Sequence, residues 1–206
     1  HSIRRRQRQM CIRDRDASAH LVPNKPFTNR RIEFIGDSYV AGYGNQSPSK
    51  NSQEKQDASG RDCIGLDLAA YTNTGMAYGP LTAQSLDADF QINAYSGLGM
   101  TRHYNGNTSF LPFQDYYKRT LVSDESTLYD FSTWTPDIVV IALGTNDFST
   151  ALGSNEIYQT RDDLYIAYQN KYKAFITMIR KKHVNVKILA LANNLYPDEE
   201  MKEQVK

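Results

Sequence analysis

The sequence predicts an α/β fold built on a central parallel sheet, and three observations carry that expectation. Short β-prone runs alternate along the chain with stretches of helical periodicity, the order that generates βαβ units. One run, residues 137–143 (DIVVIAL), is continuously apolar, as a strand covered on both faces must be. The first three runs each stop at a glycine-containing turn, at Gly36, Gly97 and Gly144. With 206 residues, the chain suffices for one sizeable core and would be cramped as two.

Taken in order, residues 1–20 are arginine-rich without apolar periodicity, so a disordered basic leader is expected. Aromatic residues are not interleaved there as stacking platforms, which argues against a nucleic-acid partner. Residues 21–29 (LVPNKPFTN) read as an extended linker, and a single domain is expected over 30–206. Its strands are 31–35 (RIEFI), 90–95 (FQINAY), 137–143 and 186–191 (VKILAL). Helical spacing covers 76–86, with Leu81 and Ser85 on one face. It recurs over 157–182, with Tyr165, Tyr168, Tyr172, Phe175, Ile176 and Ile179 along another. A polar insertion, 45–74, follows the first strand's turn. After Pro197 a last helix is expected to open with Asp198 and Glu199 at its positive end.

Composition narrows the function classes. A net charge of +1 leaves no global field to attract nucleic acid or anionic lipid. No window approaches the ~18 apolar residues of a membrane span, so no membrane partner is expected. Two cysteines, Cys11 and Cys63, do not make a disulfide framework, and no ligand spacing suggests a metal or other cofactor.

In a doubly wound parallel sheet the turns after the strands converge on one crevice. Those turns carry Gly36-Asp37-Ser38, Ser96-Gly97-Leu98-Gly99 and Gly144-Thr145-Asn146-Asp147. A hydroxyl, a close-approach glycine and a side-chain amide are what acyl transfer requires: a nucleophile, and donors aimed at the developing oxyanion. Ser38 is the expected nucleophile. Its own N–H, the Gly97 N–H and the Asn146 side chain are the expected oxyanion hole. Asp37 and Asp147 are expected to order their turns, and Trp134, placed before the third strand, to pack away from the crevice.

Three blocks give these residues a family likeness: IEFIGDSYVAGYGN at 32–45, YSGLG at 95–99 and LGTND at 143–147. Together and in order they resemble the SGNH (GDSL-type) hydrolases. The stretches NAYSGLGM, HYNG and YDFSTWTPDIVVIALGTND bring the chain nearest to carbohydrate esterase family 2. The resemblance spans about residues 21–196. It implies a flavodoxin-like SGNH sandwich, incomplete at the C-terminus, and a secreted serine esterase that removes acetyl groups from xylan-type polysaccharide. It also implies an upstream β-sandwich. An esterase or lipase for other short acyl esters, and a carbohydrate-binding protein without chemistry, are the alternatives.

The pattern breaks at the general base. The family places its histidine in a C-terminal Asp-x-x-His, and none of His1, His20, His103 and His183 stands in that context. His103, in GMTRHYNG, is expected to contact substrate rather than act as base, and His183, before the fourth strand, to be a surface residue. The chain alone is therefore expected to be inactive, with an exposed apolar sheet edge.

Overall fold

The computed structural model describes residues 30–47, 68–109 and 111–192. The expected leader, the linker, both cysteines and the expected last helix lie outside the described residues. Four strands form one sheet: β1 (Arg31–Gly36), β2 (Asp89–Ala94), β3 (Ile138–Ala142) and β4 (Lys187–Ala190). All pairs are parallel, in the order β2-β1-β3-β4, so the parallel α/β architecture expected from the sequence is the one adopted.

Residue alternation along β1 and β3 divides the core between two faces. Ile32, Phe34 and Val140 point toward a short helix that starts at Ser38, α1 (Ser38–Ala41), and toward α2 (Tyr78–Ser85). Ile35, Val139 and Ile141 point toward α3 (Phe113–Tyr117) and the last long helix. Between those two lies a four-residue helix after β3, α4 (Thr145–Phe148), and the long helix is α5 (Arg161–Lys182). Leu164, Tyr168, Tyr172, Phe175 and Ile179 form the buried stripe of α5, at the spacing a helix face demands. Phe113 and Phe175 meet edge to face at 5.7 Å, which locks α3 onto α5.

Three expectations are corrected. Helix α5 begins at Arg161 rather than 157, because Thr160 and Asp163 form a reciprocal capping box; Ile157 is 83% exposed. Helix α2 spans Tyr78–Ser85 rather than 76–86, and it buries Gly79, Pro80 and Ala83, with Gly79 against the Phe34 ring, while Leu81 and Ser85 share its exposed face. His183 is buried, not superficial: the last turn of α5 packs under the segment before β3, and the imidazole meets the Phe131 ring at 5.9 Å. Burial holds its pKa below the ordinary value, with the Lys182 charge adding to the effect. Trp134 lies, as expected, at the amino-terminal edge of the sheet, where its indole N–H donates to Asp89 at 2.9 Å. On β4 Leu189 is 55% exposed.

One polar residue sits inside the sheet. The Glu33 carboxylate accepts from the Asn93 amide at 2.6 Å and from the Tyr117 hydroxyl at 3.0 Å. Burial nevertheless raises its pKa from 4.5 to about 7, against the pull of those two bonds. The folded state thus holds this proton more tightly than the unfolded chain. Glu33's contribution to stability is fully present below pH 4.5 and is lost as the pH rises through about 7. Glu33→Gln keeps both partners and removes the ionisation. It is expected to stabilise the fold at pH 8 by on the order of 3 kcal/mol and to change little at pH 4.5, as thermal unfolding at the two pH values will show.

Candidate active site

The turn after β1 is shaped by Asp37, whose side-chain oxygen accepts the Tyr39 N–H at 3.1 Å and caps α1. Ser38 occupies the first helical position with its hydroxyl partly exposed, and its carbonyl accepts the Tyr43 N–H at 2.9 Å. Among the described residues no group hydrogen-bonds the Ser38 hydroxyl. The end of the polar insertion folds back on this turn. Asn45 and Asn73 exchange two hydrogen bonds of 2.9 Å, and Thr74 donates to the Ala41 carbonyl at 2.9 Å.

After β2 the chain turns at Gly97, whose φ of 87° lies in the left-handed region open to glycine. Gly99 follows at a point of close approach: a Cβ there would overlap the Arg102 carbonyl and the Asp147 carboxylate. After β3 come Thr145, Asn146, Asp147 and Phe148, all buried. One hydrogen of the Asn146 amide goes to the Leu98 carbonyl at 2.8 Å, which fixes the amide plane against the Gly97 turn.

Asp147 ties the two turns together. It accepts the N–H groups of Met100, Thr101 and Arg102, each at 2.8 Å. Burial pushes its pKa up to about 7 and that of Asp37 up to about 6, in each case against backbone N–H groups that favour the charged form. The ordering role expected for both aspartates matches these contacts.

Ser38, Gly97 and Asn146 line one cleft of about 730 Å³, a size suited to a small ligand, and Tyr39, Tyr43 and Tyr104 line it with them. His103 does not belong to that lining; its Nδ1 accepts the Gly99 N–H at 3.2 Å, and burial lowers its pKa. The neighbouring Tyr104, 54% exposed, lines the cleft instead. Among the described residues no group of three His, Cys, Asp or Glu side chains is arranged to hold a metal ion.

The sequence reading missed Arg102, Glu156 and the rim tyrosines. Buried Arg102 and partly exposed Glu156 form an ion pair of 2.6 Å across 54 residues, which no local pattern signals. Tyr39 and Tyr43 were visible within the first block, and Tyr104 in the HYNG stretch that follows the second.

A parallel sheet whose strand-end turns gather a serine, a left-handed glycine and an asparagine amide into one cleft defines the SGNH class of α/β hydrolase fold. The chain belongs to the GDSL-like lipase/acylhydrolase family, whose family model matches residues 34–205. A curated acetylxylan esterase / glucomannan deacetylase of Cellvibrio japonicus is 42% identical over 180 residues, covering 87% of this chain and 46% of that protein. Among solved structures, a carbohydrate esterase whose active site displays divergent catalytic and non-catalytic binding functions superposes with a TM-score of 0.74 at 41% identity. That match covers 85% of this chain and 52% of the other. A family two carbohydrate esterase from Clostridium thermocellum in complex with cellohexaose gives a TM-score of 0.69 at 30% identity, over 89% of this chain and 48% of the other. The chain thus spans about half the length of these relatives.

Replacing Asp147 by Asn supplies one acceptor oxygen where two are used and turns an N–H₂ toward backbone donors. Asp147→Asn is expected to destabilise the fold by on the order of 3 kcal/mol and to expose the Met100 to Arg102 amides to hydrogen exchange. Thermal unfolding and amide exchange at those residues check it.

Proposed function

We propose that the chain is the nucleophile-bearing and oxyanion-stabilising part of a serine esterase that removes acetyl groups from carbohydrate, of the xylan type. The observation that carries this reading is the convergence of Ser38, Gly97 and Asn146 on one tyrosine-lined cleft. The likeness to esterases of acetylated polysaccharide supplies the substrate class, and with it an extracellular place of work in polysaccharide degradation.

In the proposed reaction Ser38 Oγ attacks the acetyl carbonyl carbon while its proton passes to a base. The carbonyl oxygen becomes an oxyanion, facing the N–H groups of Ser38 and Gly97 and the second amide hydrogen of Asn146. Each such donor is worth on the order of a hundredfold or more in rate. Collapse expels the sugar hydroxyl, which takes up a proton, and leaves acetyl-Ser38; water then releases acetate and restores the serine. Tyr39, Tyr43 and Tyr104 offer flat apolar faces with polar tips, suited to a sugar ring.

Among the described residues no group stands in position to act as the base. His103 is bonded to Gly99 and His183 packs on Phe131 beyond the opposite edge of the sheet, and neither bonds Ser38. We therefore propose that these 206 residues alone turn over acetylated xylan about a millionfold more slowly than a histidine-bearing relative. The unpartnered Ser38 hydroxyl is also the observation that favours the second reading, a carbohydrate-binding cleft without chemistry.

Incubation with p-nitrophenyl acetate, whose good leaving group relaxes the need for a base, separates the two. The expected outcome is slow addition of one acetyl group, located on Ser38 by mass spectrometry and absent in Ser38→Ala. Binding of acetylated xylo-oligosaccharide without any acetylation would select the binding reading. Rapid turnover of acetylated xylan, lost in Ser38→Ala, would overturn the missing-base part.

A further inference from the structure

Arg102 is only 3% exposed, although a guanidinium is among the costliest groups to bury. The cost is offset by six contacts, five directed at one loop and one at the helix before it. Nε and Nη2 form a fork on the Glu156 carboxylate at 2.6 and 2.7 Å. Nη2 also donates to the Ala151 carbonyl at 3.0 Å. Nη1 donates to the Asp147 carbonyl at 3.2 Å, the Thr150 carbonyl at 3.3 Å and the Thr150 hydroxyl at 2.8 Å. Through its own N–H, Arg102 additionally reaches the Asp147 carboxylate at 2.8 Å.

This loop runs from α4 to α5 without regular structure, and Asn146 stands at its root. Its far side is held by a second guanidinium, since Arg161 donates to the Phe148 carbonyl at 2.7 Å and the Thr150 carbonyl at 3.2 Å. Glu156 completes the clasp by accepting the Gly153 N–H at 2.8 Å. On the other side Arg102 belongs to the turn that carries Gly97, and Tyr104 N–H closes that turn on the Gly97 carbonyl at 2.9 Å. An arginine fork fixes direction as well as distance, which a lysine ammonium does not.

We infer that Arg102, clasped to Glu156, is a positioning residue of the oxyanion hole: it sets the separation and orientation between the Gly97 N–H and the Asn146 amide. The inference rests on the proposed esterase reading and deepens it. Arg102 does not line the cleft, so it acts through those two donors rather than on the ester. A displacement of one donor by about 1 Å costs on the order of a hundredfold in rate while leaving ground-state binding almost untouched.

The test measures acetylation of Ser38 by p-nitrophenyl acetate as a function of ester concentration, in the full chain. Arg102→Met is expected to lower the maximal rate about a hundredfold and to change the half-saturating concentration less than about twofold. Arg102→Lys should recover only a minor part of the loss. Phe175→Leu, a core change remote from the cleft, should destabilise the fold without changing the rate, which separates positioning from a general loss of stability. The amide resonances of Gly97 and of the Asn146 side chain supply a readout independent of chemistry, and both should shift in Arg102→Met. If Arg102→Met does not fold, Glu156→Gln carries the same test with a loss of about tenfold. Unchanged acetylation, or unmoved resonances, in a folded Arg102→Met chain overturns the inference. Absence of acetylation in the wild-type chain overturns the esterase reading instead, and the resonances still decide the role of Arg102.

Discussion

The constraint on which the site depends is the position of β1 between β2 and β3. Strands in a sheet lie about 4.8 Å apart, so the turns after β2 and β3 start about 10 Å from one another, with the Ser38 turn between them. No ladder hydrogen bond can join those outer turns. The joining falls to side chains that reach across the end of β1, and Asp147 does most of it, with three N–H groups of the opposite turn on its carboxylate. Asn146 adds a bond to Leu98, and Arg102 returns the connection in the opposite direction. Gly99 follows from the same constraint, because the Asp147 carboxylate takes the space a Cβ would fill.

Bridging by carboxylate places ionisable groups where water does not reach. Asp37, Asp147 and, within the sheet, Glu33 all have pKa values pushed upward by burial, each against hydrogen bonds that favour the charge. Desolvation prevails over the donors in all three. The apolar clusters on both faces of the sheet are what make that tolerable. They supply the burial that outweighs the cost of the three acids, and they exclude the water that would otherwise compete for the backbone N–H groups.

Legibility in the sequence followed the range of the forces involved. Strand β3 was readable because burial writes a continuous apolar run into local sequence, and β1, β2 and β4 because short β-prone runs end at turns or follow a helix; the bounds of all four were displaced by about one residue. Apolar spacing alone does not mark where α5 starts; the Thr160 to Asp163 capping box does, placing it four residues after 157. Ser38, Gly97 and Asn146 were readable as candidates because each follows a strand in a short block. Arg102 was not, since its meaning lies in Glu156, and Glu33 was not, since Tyr117 lies 84 residues away. His183 follows Lys181 and Lys182, a context that reads as surface, yet the Phe131 ring covers it. Long-range pairs of this kind leave no periodicity to detect.

In the esterase reading proposed above, the described residues supply the oxyanion donors and not the proton acceptor, and the division has a physical logic. Stabilising an oxyanion requires donors held rigidly against one another, and rigidity here comes from contacts among three adjacent strand ends. Accepting the serine proton requires only that one group approach Ser38 Oγ from the open side of the cleft, and such a group can be carried on an independent segment. The Asp147 and Arg102 clasps lie among residues already packed and do not depend on such a group. The cleft therefore keeps its shape, its tyrosines and its fixed amides whether or not a base is present. In the proposed reading, a site built this way separates ligand recognition from chemistry, and what reaches Ser38 decides between the esterase and the binding alternatives.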